Sequence, residues 1–141
     1  MNSLPIISVS TIVKVPIALV WEYWTKPEHI VMWNHASGDW HCPKAVNEVR
    51  IGGRFSFTMA AKDGAMSFDF EGVYREVLKE SFLSYLMADG RRCDITFEIL
   101  KSGDTRVTEV FEAERENSLE LQEMGWQAIL DNFREYVELG S

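Results

Sequence analysis

The sequence predicts an α+β fold in which a curved antiparallel sheet of six or seven strands surrounds a long C-terminal helix, with two short helices after strand one. Three observations predict it. Residues 7 to 15 alternate apolar and polar with the period of a half-buried strand. The middle of the chain is a series of alternating segments separated by glycine-bearing turn signals. The last segment places its apolar residues at helical spacing.

In chain order, Ile7, Val9, Thr11, Val13 and Val15 form the inward side of strand one. Pro16 presets a helical φ, and Leu19, Val20, Tyr23 and Trp24 then fall about one turn apart, which predicts a short helix. Thr25 and Glu28 have the spacing of a capping box, with Pro27 in the first turn of a second short helix ending near Trp33. Five successive antiparallel strands follow, with "AVNEV" a candidate sixth before them. Phe55, Phe57 and Met59 share one face, Asp63-Gly64 turns the chain, and Met66, Phe68 and Phe70 return on one face. "FLSYLMA" runs to Asp89-Gly90, then Cys93, Ile95, Phe97 and Ile99 are in phase, and Ser102-Gly103-Asp104 leads into "TRVTEVFEA". In the final helix Leu119, Trp126, Ile129, Leu130, Phe133 and Val137 share a stripe. Gly125 interrupts that helix at a cost of about 1 kcal/mol, which predicts close approach of the helix backbone to the sheet or to a ligand.

With 141 residues and no linker or repeat, the chain reads as a single domain over 1–141, long enough to fold without staples. A net charge of −8 argues against nucleic acid, whose phosphates are held by clustered Lys and Arg. No window reaches the length of a membrane span, and the charge-free first thirteen residues lack the basic leader of a secretory signal. Cys42 and Cys93 fit no disulfide framework, so the expectation is a cytoplasmic protein with reduced thiols, a monomer or homodimer.

A helix roughly 10 to 12 Å across cannot cover six or seven strands, so the architecture predicts an internal space. Its expected walls are Phe55, Phe57, Met59, Phe68 and Phe70 from the sheet and Trp126, Ile129 and Phe133 from the helix. Glu109 alternates with Val107 and Phe111, and Cys93 with Ile95 and Phe97, which points both inward; a bulge would turn Glu109 out instead.

The stretch "WTKPEHIVMWNHASGDWHCP" carries three of the five tryptophans, all three histidines and Cys42. As a metal site, His29, His35, His41 and Cys42 lack any compact ligand spacing. As a catalytic cluster, Cys42 with His35 or His41 and Asp39 lacks a visible oxyanion hole. Two readings remain open. Trp33 and Trp40 anchor a structural loop, or the stretch forms the pocket entrance with Asn34, His35 and His41 as polar handles. No metal, cofactor or catalytic residue is assigned.

The segments "VWEYWTKPEHIVMW", "RIGGRF", "DG", "EGVYREV", "TRVTE" and "GWQAILDNFREYV" together resemble the START-like (SRPBCC, helix-grip) superfamily. Within it the chain resembles the bacterial family related to the C-terminal domain of the activator of the ninety-kilodalton heat-shock protein ATPase. The resemblance implies a deep cavity that binds a small hydrophobic molecule, lipid-like or aromatic, without catalysis. It also implies two alternatives: a chaperone partner whose ATPase is stimulated, or a cyclase- or hydrolase-type enzyme using Glu109 or His35. The chain departs from many relatives at Trp33-Asn34, where they resemble Trp-Trp, and this implies a more polar entrance.

Overall fold

Strand and helix propensities place ten elements in the computed structural model, which describes residues 4–140; the charge-free N-terminal stretch lies partly outside them, at residues 1–3. In order they are β1 (Ile6–Val13), α1 (Ile17–Thr25), α2 (Pro27–Trp33), β2 (Trp40–Asn47), β3 (Arg54–Ala61), β4 (Ser67–Leu78), β5 (Phe82–Met87), β6 (Arg92–Ile99), β7 (Thr105–Glu112) and α3 (Leu119–Gly140). The strands form one seven-stranded sheet in the order β1-β7-β6-β5-β4-β3-β2, antiparallel throughout. This is the α+β helix-grip arrangement, with α3 against the concave face and the two short helices after β1.

The turns follow from Asp-Gly chemistry. Gly64 and Gly90 take φ of 80° and 90°, a region costly for residues with a Cβ. Asp63 and Asp89 each accept a backbone N–H two residues on, at 2.8 and 3.2 Å. At the start of α3 the Ser118 hydroxyl accepts the Leu121 N–H at 3.1 Å. The Gln122 amide closes the connection from β7 by bonding Glu114 and Asn117 backbone groups at 2.9 to 3.1 Å.

Several sequence expectations are corrected. Of "AVNEV" only Ala45, Val46 and Asn47 are strand, and they end a longer one: β2 begins at Trp40, with a register shift between His41 and Lys44 that accommodates Pro43 on this edge strand. The capping box does not form. Lys26 is the N-cap of α2, and the Thr25 hydroxyl donates instead to the Trp21 carbonyl at 2.7 Å. Ile99 and Met66 leave the inward phase and are 68% and 63% exposed, because the sheet ends beside turns there. Leu119 is exposed at the first turn of α3.

Two glycines separate backbone cost from packing need. A Cβ on Gly125 would meet nothing within 4 Å, so the close approach expected of it is not made. Gly72 was not singled out, yet a Cβ there would lie 2.5 Å from the Phe55 ring and 2.7 Å from the Leu86 carbonyl. Phe55 pairs with Gly72 across β3 and β4, and its ring fills the place a side chain would take. Gly125→Ala is therefore expected to stabilise the fold by about 0.5–1 kcal/mol, raising Tm by roughly 2–4 °C. Gly72→Ala is expected to destabilise it by about 1–3 kcal/mol as Phe55 is forced aside. Thermal unfolding of the two variants checks both signs.

Candidate functional site

The concave face is built by registered rows. Val9, Glu109, Ile95 and Leu83 lie side by side across β1, β7, β6 and β5, and the next row runs Ile7, Phe111, Cys93, Tyr85 and Tyr74. Every residue of both rows is buried. Helix α3 lays Trp126 flat on Phe111, with ring centroids 3.8 Å apart and planes 14° from parallel. Trp126 also meets Phe70 edge-on at 6.1 Å, so one ring spans from β7 to β4.

Two groups of rings form around this bridge. Near the short helices, Trp24, Trp33 and Phe133 pack with centroids 4.8 to 5.0 Å apart. On β3 to β5, Phe55 touches Phe57, Tyr74 and Tyr85 at 4.7 to 5.4 Å. Between the groups lies a cavity of about 200 Å³. Phe68 lines it and is 53% exposed, which places the opening on that side.

Of the residues expected to face a ligand, Trp33, Phe55, Phe57, Met59, Phe68, Phe70, Glu109, Trp126 and Ile129 line the cavity. The other five do not. Phe133 stands behind Trp24 and Trp33 and supports them edge-on. Cys93 is covered by its register neighbours Tyr85 and Phe111. Trp40 sits near the rim, 6.0 Å from Phe68, and His41 is exposed on the edge strand. His35 is half-buried outside the lining, with Nδ1 lacking a hydrogen-bond partner. Of the handles at the entrance, only Asn34 reaches the cavity wall.

Sequence reading missed Trp24, Ile30, Tyr74, Tyr85 and Ile95 as cavity residues. The signal for Tyr74 was its place two and four residues beyond Gly72 and Phe70. Tyr85 shows no such alternation, because Ser84 beside it is buried as well, bonded to Asp94 at 2.6 Å.

The histidines do not converge. His29 stacks on Tyr23 at 4.1 Å, and its Nδ1 lies 2.8 Å from the Tyr136 hydroxyl, which ties α2 to α3. Among the described residues no three His, Cys, Asp or Glu side chains are grouped to hold a metal ion. The Cys42 thiol donates to the Lys44 carbonyl at 3.4 Å, and burial pushes its pKa up, the reverse of an activated nucleophile. The segment is held as a wall: Trp33 Nε1 donates to the Tyr23 carbonyl at 3.0 Å, and Asn132 Nδ2 donates to the His35 carbonyl at 2.9 Å.

Glu109 is the carboxyl of the cavity wall. It is 6% exposed, with no hydrogen bond or ion pair to any described residue, and burial pushes its carboxyl up to about 8. Tyr85 and Cys93, its titratable neighbours, are also held well above their ordinary values by burial. At neutral pH Glu109 is mostly a carboxylic acid. The fold keeps a proton that the unfolded chain releases above about 4.5, so this group's stabilisation is complete below that pH and is lost as pH rises through about 8. Wild type should therefore lose stability relative to Glu109→Gln over this window, by on the order of a few kcal/mol. Urea unfolding of both proteins at about pH 5 and about pH 8.5 measures it; a difference that does not change with pH would mean that Glu109 is solvated in the folded protein.

Comparison with known proteins agrees with this geometry. The profile of the family described as "Activator of Hsp90 ATPase homolog 1-like protein" matches residues 14–138. An AHSA1-like protein from Aeromonas hydrophila is 42% identical, with 96% of this chain and 94% of that one covered and a TM-score of 0.90. Chr148 from Cytophaga hutchinsonii is 46% identical over 95% of this chain and 92% of its own, with a TM-score of 0.81. NE0264 from Nitrosomonas europaea, 22% identical over 99% and 98% of the two chains with a TM-score of 0.81, shares the fold. No curated protein matches the chain. The chain belongs to the family of activator of Hsp90 ATPase homolog 1-like (AHSA1-like) proteins.

Proposed function

We propose that the protein holds one small hydrophobic molecule between sheet and helix and performs no reaction on it. The observation that carries this reading is the ring-lined cavity of about 200 Å³ with Glu109 and Asn34 in its wall. Apolar walls with a few polar groups are what small-molecule sites use to bind and orient. The volume narrows the class. A dry cavity of about 150 Å³ accepts benzene, so this one suits a single-ring molecule with a short tail better than a long lipid chain. The two buried free thiols support a reducing, cytoplasmic setting, and among the described residues no helix is long and apolar enough to cross a membrane.

The family description supports a second reading, stimulation of a chaperone ATPase. A partner surface and the cavity are separable. Co-purification with a chaperone of that class, or a changed ATPase rate on mixing, would favour it over storage or sensing of a ligand.

Single-ring aromatic compounds at about a hundred times their Kd should stabilise the protein by roughly 2.7 kcal/mol, a Tm rise of roughly 5–10 °C. Fatty acids should give smaller rises. A panel in which no compound moves Tm would count against the cavity reading.

A further inference from the structure

Among the residues that line the cavity there is a carboxyl but no lysine, arginine or histidine. An anionic guest would find no counter-charge, and it would face a residue that can only repel it once ionised. Glu109 lies against faces that offer it no salt bridge. Its register neighbours are Val9 on β1 and Ile95 on β6, and the cavity wall facing it from α3 is Trp126 and Ile129. The titratable groups near it are Tyr85 from β5 and Cys93 from β6, with Tyr74 from β4 lining the same space. All three are neutral at physiological pH, and the Tyr74 hydroxyl is already committed to Asn47 Oδ1 at 2.6 Å. The rest of the wall is largely rings, Trp126, Phe55 and Phe70 among them, whose faces attract a cation.

We propose, building on the cavity-binding reading above, that the ligand is a single-ring molecule bearing a positively charged amine, with the ammonium paired to Glu109 and the ring held among the aromatic walls. Before binding, Glu109 carries a proton at neutral pH. On binding, that proton leaves to solvent, the amine keeps all of its own, and a carboxylate–ammonium pair replaces an unpartnered acid. One proton is therefore released per ligand bound. The chain's net charge of −8 adds a long-range attraction for cations and against anions.

Titration calorimetry with three matched probes tests this on the full chain: 2-phenylethylamine as the cation, 2-phenylethanol as the neutral isostere and 3-phenylpropanoate, with the same two-carbon linker, as the anion. The amine should bind most tightly, its affinity should rise about tenfold per pH unit from about pH 6 towards about pH 8 and then level off, and about one proton should be released at neutral pH. In Glu109→Gln the preference for amine over alcohol should fall by at least tenfold, with circular dichroism confirming the fold. Alcohol binding equal to or tighter than amine in wild type would overturn the amine assignment while leaving the cavity reading intact. Affinity that increases as pH falls would also overturn it, since the protonated acid would then be donating to a neutral acceptor. Failure of all three probes, and of the wider aromatic panel, would remove the cavity reading itself.

Discussion

A seven-stranded sheet is wider than one helix can cover, and this mismatch governs the interior. Strands are spaced about 4.8 Å apart, so seven of them span nearly 30 Å if laid flat, against a helix of about 10–12 Å. The sheet answers by curving around α3, and α1 and α2 cover part of what remains. Trp126 decides how the rest is divided. By stacking on Phe111 and meeting Phe70 edge-on, it props α3 over the β7 to β4 part of the sheet. The hollow survives because rings that could have collapsed into it are already held by one another: Trp24 and Trp33 by Phe133, and Phe57, Tyr74 and Tyr85 by Phe55. Gly72 belongs to the same arrangement, since only a residue without Cβ lets Phe55 take its central place.

Helix α3 is held at both ends by polar contacts, and the site depends on them. Gln122 fixes the entry of the helix to the end of β7. Further along, Asn132 holds the His35 carbonyl and Tyr136 meets His29, so the short helices and the segment after them are registered against the same helix that carries Trp126. Histidines that look like chemistry in the sequence thus act in part as fasteners. The aromatic walls are thus positioned in part by hydrogen bonds lying outside the cavity.

The meander, the long helix and most of the aromatic wall were legible because each rests on a local signal: alternation, an Asp-Gly turn, or an apolar stripe. Strand β2 was hidden for a physical reason. Pro43 and the shift between His41 and Lys44 break the alternation, so the strand carrying Trp40, His41 and Cys42 reads as a loop. His41 then reads as a candidate handle at the pocket entrance, whereas on the edge strand it is exposed to solvent. Cys93 and Glu109 illustrate the limit of phase. Both face inward as alternation requires, yet only Glu109 meets the cavity, because Tyr85 and Phe111 flank Cys93 in its row. Strand period tells which face a residue takes. It does not tell whether a neighbouring ring stands between it and the space, which is a matter of packing across four strands.

Glu109 and the hollow explain each other. A carboxyl at the centre of a filled core would need a partner, since an unpaired buried charge costs several kcal/mol, and no described residue supplies one. Its row neighbours Val9, Ile95 and Leu83 show that the position is compatible with an aliphatic side chain, which would remove that cost. Holding the proton up to about pH 8 is how the acid tolerates the site while the hollow is empty. The same hollow leaves open space beside the carboxyl. An interior selected for stability alone would close the space and replace the acid; this one keeps a space of single-ring size beside a carboxyl in need of a partner.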